Sequence, residues 1–167
     1  MTLFSRLTER LFVIAHSRGP DVIIGPSRAP GQPDYLRRWF IIPRNRWFNI
    51  YLHRFGRSDD DRALHDHPWL FNCSIVLRGM LAEVTECRGR HACWGQTRRG
   101  LSAGDWRFRW GRAAHRLELR SAHAWTLFIT GPRIREWGFY CPKNRWVHWR
   151  DFTDPTDPGK TGPGCGP

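Results

Sequence analysis

The chain has 167 residues, close to the size of one domain, of which 40% are hydrophobic and 25% are charged. This balance indicates a globular protein and excludes a disordered chain. No stretch approaches the roughly 20 apolar residues of a membrane-spanning helix, and the N-terminus lacks the apolar core of a signal peptide. The sequence therefore predicts a cytoplasmic protein with no membrane partner.

The formal net charge is +12, and all but two of the 27 basic residues are arginines. Clustered cations are typical of proteins that bind the phosphate backbone of nucleic acids. The arginines of this chain are scattered, however, which favours a solvated surface or a pocket that attracts small anions. Nucleic-acid binding is kept as the alternative.

In chain order, the first predicted element is an amphipathic helix over residues 2–16, where apolar side chains recur at helical spacing. Residues 17–34 are rich in Gly and Pro and predict a loop. From residue 35 onward, short runs rich in β-branched and aromatic residues alternate with turn signals, as expected of strands. The predicted strands are 36–42, 47–55, 63–67, 70–77, 80–86, 105–110, 115–119 and 124–130.

Many short strands without helices between them indicate an antiparallel sandwich or a small barrel, an all-β fold with one N-terminal helix. The chain divides into an N-terminal helix with a Pro- and Gly-rich lead-in (1–35), a β-domain (36–152) and a C-terminal segment (153–167). That last segment holds four prolines and four glycines, so we expect a flexible tail.

The cysteines give little sign of a structural zinc site. They are Cys73, Cys87, Cys93, Cys141 and Cys165. They form no Cys-x-x-Cys pair, and an odd number fits a reducing compartment. Cys87, His91 and Cys93 provide half of a zinc site at most, because no second pair lies at the spacing that a closed tetrahedral site needs.

Three histidines are the candidate metal ligands. His65 and His67 are two residues apart, and on a strand this spacing points both rings to the same face and sends Asp66 to the other. Two imidazoles so placed can bind one metal ion if a third ligand arrives from a neighbouring strand. His115 opens a later predicted strand, directly after a Gly-containing turn, and is the candidate for that third ligand.

At these positions the sequence resembles the cupin superfamily. The first cupin motif places a glycine after the His-x-His pair, and Gly79 stands there behind His65 and His67. The second motif places a histidine after a glycine, and Gly104 and His115 keep that spacing. The resemblance covers residues 36–150 and implies a double-stranded β-helix, or jelly-roll, barrel that holds a metal inside its mouth.

The sequence departs from the cupin motifs at other positions. Asn72 replaces the acidic ligand, Trp110 and Arg112 replace the Pro-x-Gly turn, Leu119 replaces the final Asn, and Asp59 replaces an early glycine. Because Asn72 is neutral, it either coordinates weakly through its amide oxygen or only lines the pocket. Three neutral imidazoles leave the full charge on the metal and leave coordination positions open, which suits an anionic chelating substrate and, with iron, dioxygen.

The three-His cupins that this pattern resembles include thiol dioxygenases and diketone-cleaving dioxygenases, which are iron enzymes. The resemblance thus implies Fe(II)- and O2-dependent oxidation of a small acidic or thiol-bearing molecule, although Ni, Mn and Zn suit the same nitrogens. Two alternatives are a sugar isomerase or epimerase with a histidine base, and a non-catalytic cupin that binds a ligand or nucleic acid. A homodimer is expected by analogy with other cupins.

The candidate catalytic residues lie on the predicted strand 47–55, either face of which can line the interior. If the face with Tyr51 and His53 does so, these two serve as acid, base or substrate anchor, with a purely structural histidine as the alternative for His53. If the opposite face does so, Arg54 holds a carboxylate or phosphate. On the strand 105–110, the aromatic face that alternates with Arg107 and Arg109 is expected to pack inside the barrel.

Overall fold

A computed structural model describes residues 2–59, 63–87 and 95–166. Its helices and strands, in chain order, are α1 Leu3–Ser17, β1 Val22–Ile24, β2 Leu36–Phe40, β3 Asn49–Phe55, β4 Leu64–His65, β5 Phe71–Arg78, β6 Leu81–Glu86, β7 Gln96–Leu101, β8 Trp106–Trp110, β9 Arg116–Leu119, β10 Ala124–Thr130, β11 Gly138–Cys141, a 3-10 turn Pro142–Asn144, β12 Arg145–His148, α2 Trp149–Phe152, β13 Thr153–Asp154 and β14 Asp157–Thr161. The protein is therefore mostly β with an N-terminal helix, as predicted. None of the described helices is long and apolar enough to cross a membrane.

The N-terminal helix α1 covers the outer face of the largest sheet. It begins at the N-cap Thr2, whose hydroxyl accepts a hydrogen bond from the Ser5 amide at 3.2 Å. The apolar stripe places Leu11 and Phe12 in a buried cluster with Trp39 and Leu52 of the sheet. An isolated helix of this length is only marginally stable in water. Burial of the apolar stripe against the sheet therefore stabilises α1.

The largest sheet has six antiparallel strands in the order β1-β2-β3-β10-β5-β8. Because side chains alternate along each strand, the face opposite α1 points into the molecule and carries His53 and Phe55 of β3. A three-stranded sheet, β7-β6-β9, lies against this inner face. An apolar layer that includes Val76 of β5 and Leu81 of β6 fills the space between the two sheets.

The sheets are not closed into a barrel, in contrast to the closed jelly roll expected from the sequence. A second three-stranded sheet, β12-β11-β4, stands beside the first two. Its link to the β9 end is a single bridge between His65 and His115 rather than a continuous ladder. Strand β4 stops after two residues, and Pro68 follows close behind without a backbone N–H to extend a ladder.

The C-terminal segment is not a flexible tail, and this corrects the expectation for residues 153–167. Strands β13 and β14 form a hairpin that lies next to β1, which itself falls in the segment 17–34 predicted to be a loop. Arg28 forms an ion pair with Asp157 at 2.9 Å. The backbones of Gly25 and Gly159 approach so closely that a Cβ on Gly159 would overlap Gly25. Glycine is therefore needed for the contact, not for flexibility.

A disulfide fixes the same segment. Cys141 at the end of β11 is bonded to Cys165, with 5.6 Å between the two Cα atoms. Cys87 is also disulfide-bonded, and Cys73 is a free cysteine. The expectation of reduced cysteines therefore fails for Cys141, Cys165 and Cys87. His91 and Cys93, the other members of the weak half-site, lie outside the described residues.

Candidate metal centre

Three histidines meet at one point between the sheets. His65 ends β4, His67 follows two residues later, and His115 directly precedes β9. The backbones of His65 and His115 exchange two hydrogen bonds, of 2.9 and 3.0 Å, while the His67 amide donates to the Gly111 carbonyl at 2.8 Å. One ligand atom of each ring lies within 4.8 Å of the others, and Nε2 of His67 is 2.9 Å from Nε2 of His115. The structure thus brings together the three residues that the sequence singled out.

The acidic neighbour Asp66 points away from this cluster, as the alternation predicts. Its carboxylate accepts a hydrogen bond from the Gly138 amide at 2.8 Å and forms an ion pair with Arg135 at 2.7 Å. Both contacts attach the His65–His67 segment to the sheet that contains β11. Asp66 is therefore a structural residue, and it fixes the backbone that presents the two histidines.

A buried carboxylate that the sequence analysis missed holds His115. Glu83 of β6 is 2% exposed, and its Oε1 accepts a hydrogen bond from His115 Nδ1 at 2.9 Å. It also pairs with Arg109 and, at 2.8 Å, with Arg107. A hydrogen bond at Nδ1 leaves Nε2 of His115 free to face the other two rings. The available signal was a lone acidic residue inside the apolar run Leu81–Val84, a position that is strongly disfavoured for a charge without a partner.

A second carboxylate lies behind His65. Asp59 stands where the cupin motif has an early glycine, and its side chain is 4% exposed and lies 3.9 Å from His65 Nδ1. Its Oδ2 accepts a hydrogen bond from the Leu117 amide at 2.8 Å, and its Oδ1 accepts one from the Tyr35 hydroxyl. Two of the three histidines therefore have a carboxylate on the side away from the cluster.

Burial keeps the imidazoles neutral. Desolvation lowers the pKa of His65 and lowers the pKa of His67 well below the ordinary value. Burial and the charge of Arg109 lower the pKa of His115 to about 3. Burial alone would raise the pKa of Glu83, but the His115 hydrogen bond and the charge of Arg109 hold it below its usual range. A metal would therefore meet three unprotonated nitrogens backed by an ionised carboxylate.

The cluster opens into a cavity of about 670 Å³, a volume typical of small-molecule sites. Its walls are mainly apolar and include Ile24, Leu36, Phe55, Leu117, Trp137 and Phe139. The β13–β14 hairpin and β1 also line it, so the C-terminal segment is part of the cavity wall. The Trp137 ring centroid is 6.1 Å from that of His65, and Trp137 stacks on Trp149 at 5.9 Å.

The candidate residues of β3 lie on opposite faces of the sheet, with Tyr51 and His53 on the inner face and Arg54 on the face that packs against α1. His53 lines the cavity, and its Nε2 accepts a hydrogen bond from Arg38 Nε at 2.8 Å. Tyr51 stacks beside His53 with 5.9 Å between ring centroids, outside the residues that line the cavity. Arg54 lies on the opposite face, with its guanidinium 6.0 Å from the Trp125 ring. Arg54 therefore faces the α1 side, and the arginine that the structure places in the cavity beside β3 is Arg38.

Asn72 does not join the histidines. It is fully buried on β5, in register with Arg109 on β8 and Thr130 on β10. Its amide has no hydrogen-bond partner among the described residues, and it is not among those that line the cavity. A role for Asn72 as metal ligand stays a prediction from the motif alignment.

The two faces of β8 are the reverse of the expected arrangement. Trp106, Phe108 and Trp110 are exposed, whereas Arg107 and Arg109 point inward to Glu83. The buried carboxylate provides the reason, since it requires compensating charge inside the fold. The aromatic face therefore does not pack inside the fold.

Comparisons with known proteins found similar solved structures. No protein-family model matches the chain, and no curated protein matches it either. Similar solved structures include a putative mannose-6-phosphate isomerase from Ralstonia eutropha (TM-score 0.47, 18% identity, covering 67% of this chain and 92% of the other). Others are an RmlC-like cupin from Shewanella frigidimarina (0.46, 16%, 62% and 80%) and an uncharacterized protein with a double-stranded β-helix domain from Klebsiella pneumoniae (0.46, 15%, 68% and 88%). The last two are named as a cupin and as a protein with a double-stranded β-helix domain.

Proposed function

We propose that this chain is a mononuclear metalloenzyme in which His65, His67 and His115 hold Fe(II) for the O2-dependent oxidation of a small acidic or thiol-bearing molecule. The observation that carries the proposal is the convergence of three ring nitrogens within 4.8 Å of one another. The three rings are neutral and desolvated, so their nitrogens are in the form that binds a metal ion.

The donor set fits a divalent transition metal. Burial keeps the three rings unprotonated, which is the form that coordinates metal. Glu83 fixes the proton of His115 on Nδ1, and this leaves Nε2 as the ligand atom. Imidazole nitrogens suit iron, nickel, copper and zinc, so the ligands favour a transition metal over Mg²⁺ or Ca²⁺.

The other residues of the cavity wall suit a reaction at the metal. Bound Fe(II) would supply dioxygen activation and Lewis acidity at open coordination positions. The walls are mainly apolar, including Phe55, Leu117 and Phe139, so they offer few groups that bind water near the histidines. His53 faces the same cavity with its Nε2 already accepting from Arg38, so its own proton is on Nδ1. The Arg38–His53 pair is thus a fixed polar group within an apolar enclosure.

Metal content tests the ligand assignment. We expect about one metal per chain in anaerobically purified wild-type protein, and loss of that metal in His65→Ala and in His115→Ala. His16→Ala is the matched control, because His16 is an exposed histidine on α1, remote from the cluster. Full metal content in both cluster variants would contradict the proposal.

Dioxygen consumption tests the reaction. We expect uptake when Fe(II)-loaded protein meets a member of a panel of small carboxylic acids and thiols, and none with the His115→Ala variant. Absence of uptake with every compound, in protein shown to hold iron, would reject the oxygenase reaction while the metal centre would stand.

A further inference from the structure

The cavity contains a cation, Arg38, that has no acidic partner among the residues that the structure describes. Arg38 lies on β2 directly across from His53 on β3, and both side chains line the cavity. Its Nε donates to His53, and its guanidinium lies 4.8 Å from the centre of the Tyr51 ring. Neither neighbour carries a negative charge. No carboxylate forms an ion pair with Arg38 in the described part of the chain.

The other cations of the cavity each have an acidic partner. Among the described residues that line it, these are Arg109, which pairs with Glu83, and Lys160, whose Nζ is 3.3 Å from an Asp154 oxygen. A guanidinium inside an apolar enclosure is costly unless a counter-charge reaches it. The two Nη groups of Arg38 form the planar fork that matches a carboxylate.

Arg38 also lies close to the histidine cluster. Phe128 of β10 lies between His53 and His67, with its ring centroid 5.1 Å from that of His53 and 6.2 Å from that of His67. One aromatic ring therefore separates the Arg38–His53 pair from a candidate metal ligand. Arg38 and the three histidines line the same cavity, so a molecule bound there faces both.

The apolar part of the cavity wall indicates what the rest of that molecule is made of. Ile24, Leu36, Phe55 and Leu117 present only hydrocarbon. Two acids are among the described residues that line the cavity. Asp59 accepts hydrogen bonds from the Leu117 amide and the Tyr35 hydroxyl, and Asp157 forms an ion pair with Arg28, so neither offers much to an ammonium group. We propose that the cavity binds an apolar monocarboxylic acid, with its carboxylate on Arg38 and its hydrocarbon part between Arg38 and the three histidines. This deepens the proposed function and rests on it for the position of the metal.

Calorimetric titration of the metal-free protein tests the inference with 3-phenylpropionate, its neutral amide 3-phenylpropionamide, and inorganic phosphate. We expect the acid to bind wild-type protein and the amide to bind at least roughly tenfold more weakly, because only the acid forms a charge-assisted pair. Arg38→Gln should lower the affinity for the acid by roughly tenfold to a hundredfold and leave the amide unchanged. Arg37→Gln, on the same strand and more exposed, should bind the acid as wild type does.

Three results would overturn the inference: no binding of the acid, equal affinity of acid and amide for the wild-type protein, or a preference for the acid that survives in Arg38→Gln. Phosphate binding that depends on Arg38, without binding of the acid, would assign the group to an inorganic anion and reject the carboxylate. The comparison of acid and amide needs no variant, so it stands even if Arg38→Gln fails to fold. Metal content separates the two proposals, because Arg38→Gln should keep its metal whereas His115→Ala should lose it and still prefer the acid.

Discussion

The Nδ1 atom of His115 and the Oε1 atom of Glu83 are 2.9 Å apart, on two segments that are more than thirty residues apart in the sequence. This contact connects the candidate metal cluster to a buried network that also contains Arg107 and Arg109. The orientation of the third histidine is therefore set by strand β6, which carries no ligand itself.

Replacing Glu83 by Gln tests this relationship. The variant keeps the size of the side chain but removes the charge that fixes the His115 proton and balances Arg109. We expect metal affinity to fall about 10- to 100-fold and stability to fall by about 3–5 kcal/mol, as measured by chelator competition and urea unfolding. Glu9→Gln, an exposed glutamate on α1, should match wild type. Unchanged metal affinity in Glu83→Gln would show that Glu83 does not position His115.

His53 predicts a pH dependence of stability in the metal-free protein. Burial and the charge of Arg38 lower its pKa well below the ordinary value of 6.5. Below pH 6.5 the unfolded chain binds a proton at His53 that the folded chain does not, so stability falls as the pH falls. The expected contribution is about 1.4 kcal/mol per pH unit. In urea unfolding between pH 5 and pH 8, the His53 contribution should appear only below pH 6.5, where it adds to those of His65, His67 and His115, whose pKa values are also lowered.

His53→Gln should remove that contribution. A glutamine amide oxygen can still accept from Arg38 Nε but cannot take up a proton in this range. The difference in stability between wild type and His53→Gln should therefore be constant above pH 6.5 and should change with pH below it. Parallel curves throughout would mean that His53 titrates alike in the folded and unfolded states.

The Cys141–Cys165 disulfide should stabilise the C-terminal hairpin. It closes a loop with a sequence separation of 24, and loops of this size contribute about 2–4 kcal/mol. Cys165→Ser should lower the unfolding free energy by that amount and increase amide exchange in β13 and β14 first. Cys73→Ser, which removes a free cysteine, is the control. Equal exchange in the hairpin of Cys165→Ser and wild type would contradict the role given to the disulfide.

Gly159→Ala should displace the same hairpin from β1. A methyl group at Gly159 would overlap the Gly25 backbone, and overpacking of this kind costs about 1–3 kcal/mol. Gly19→Ala is the matched control, since a Cβ at Gly19 has open space around it. Thermal unfolding measures both. A Gly159→Ala protein as stable as Gly19→Ala would mean that the two backbones separate at no cost.

Local sequence patterns predicted α1, the central strands and the three histidines that lie together in the structure. Helical spacing of Leu7 and Leu11 predicted α1, and alternation predicted the central strands. The His-x-His spacing and the cupin resemblance together selected His65, His67 and His115. These features depend on neighbours in the chain or on a motif of fixed spacing, so the sequence displays them directly.

The features that were missed depend on contacts between distant segments. The alternation in β8 shows that Trp106 and Arg107 face opposite ways, but only the partner Glu83 determines which of them is inside. The C-terminal hairpin has the prolines and glycines of a tail and is ordered by the disulfide and by Arg28. The role of Glu83 has the same origin, because its importance comes from His115 on another strand.

The stacked pair Trp137 and Trp149 gives the molecule a built-in optical reporter. The Trp137 ring lies next to His65 and inside the cavity wall, so an ion with unpaired electrons held by the histidines would quench indole emission there, while zinc would not. Emission recorded during titration with Co²⁺ and with Zn²⁺, in wild type and in Trp137→Phe, would follow occupancy of the centre without any added label.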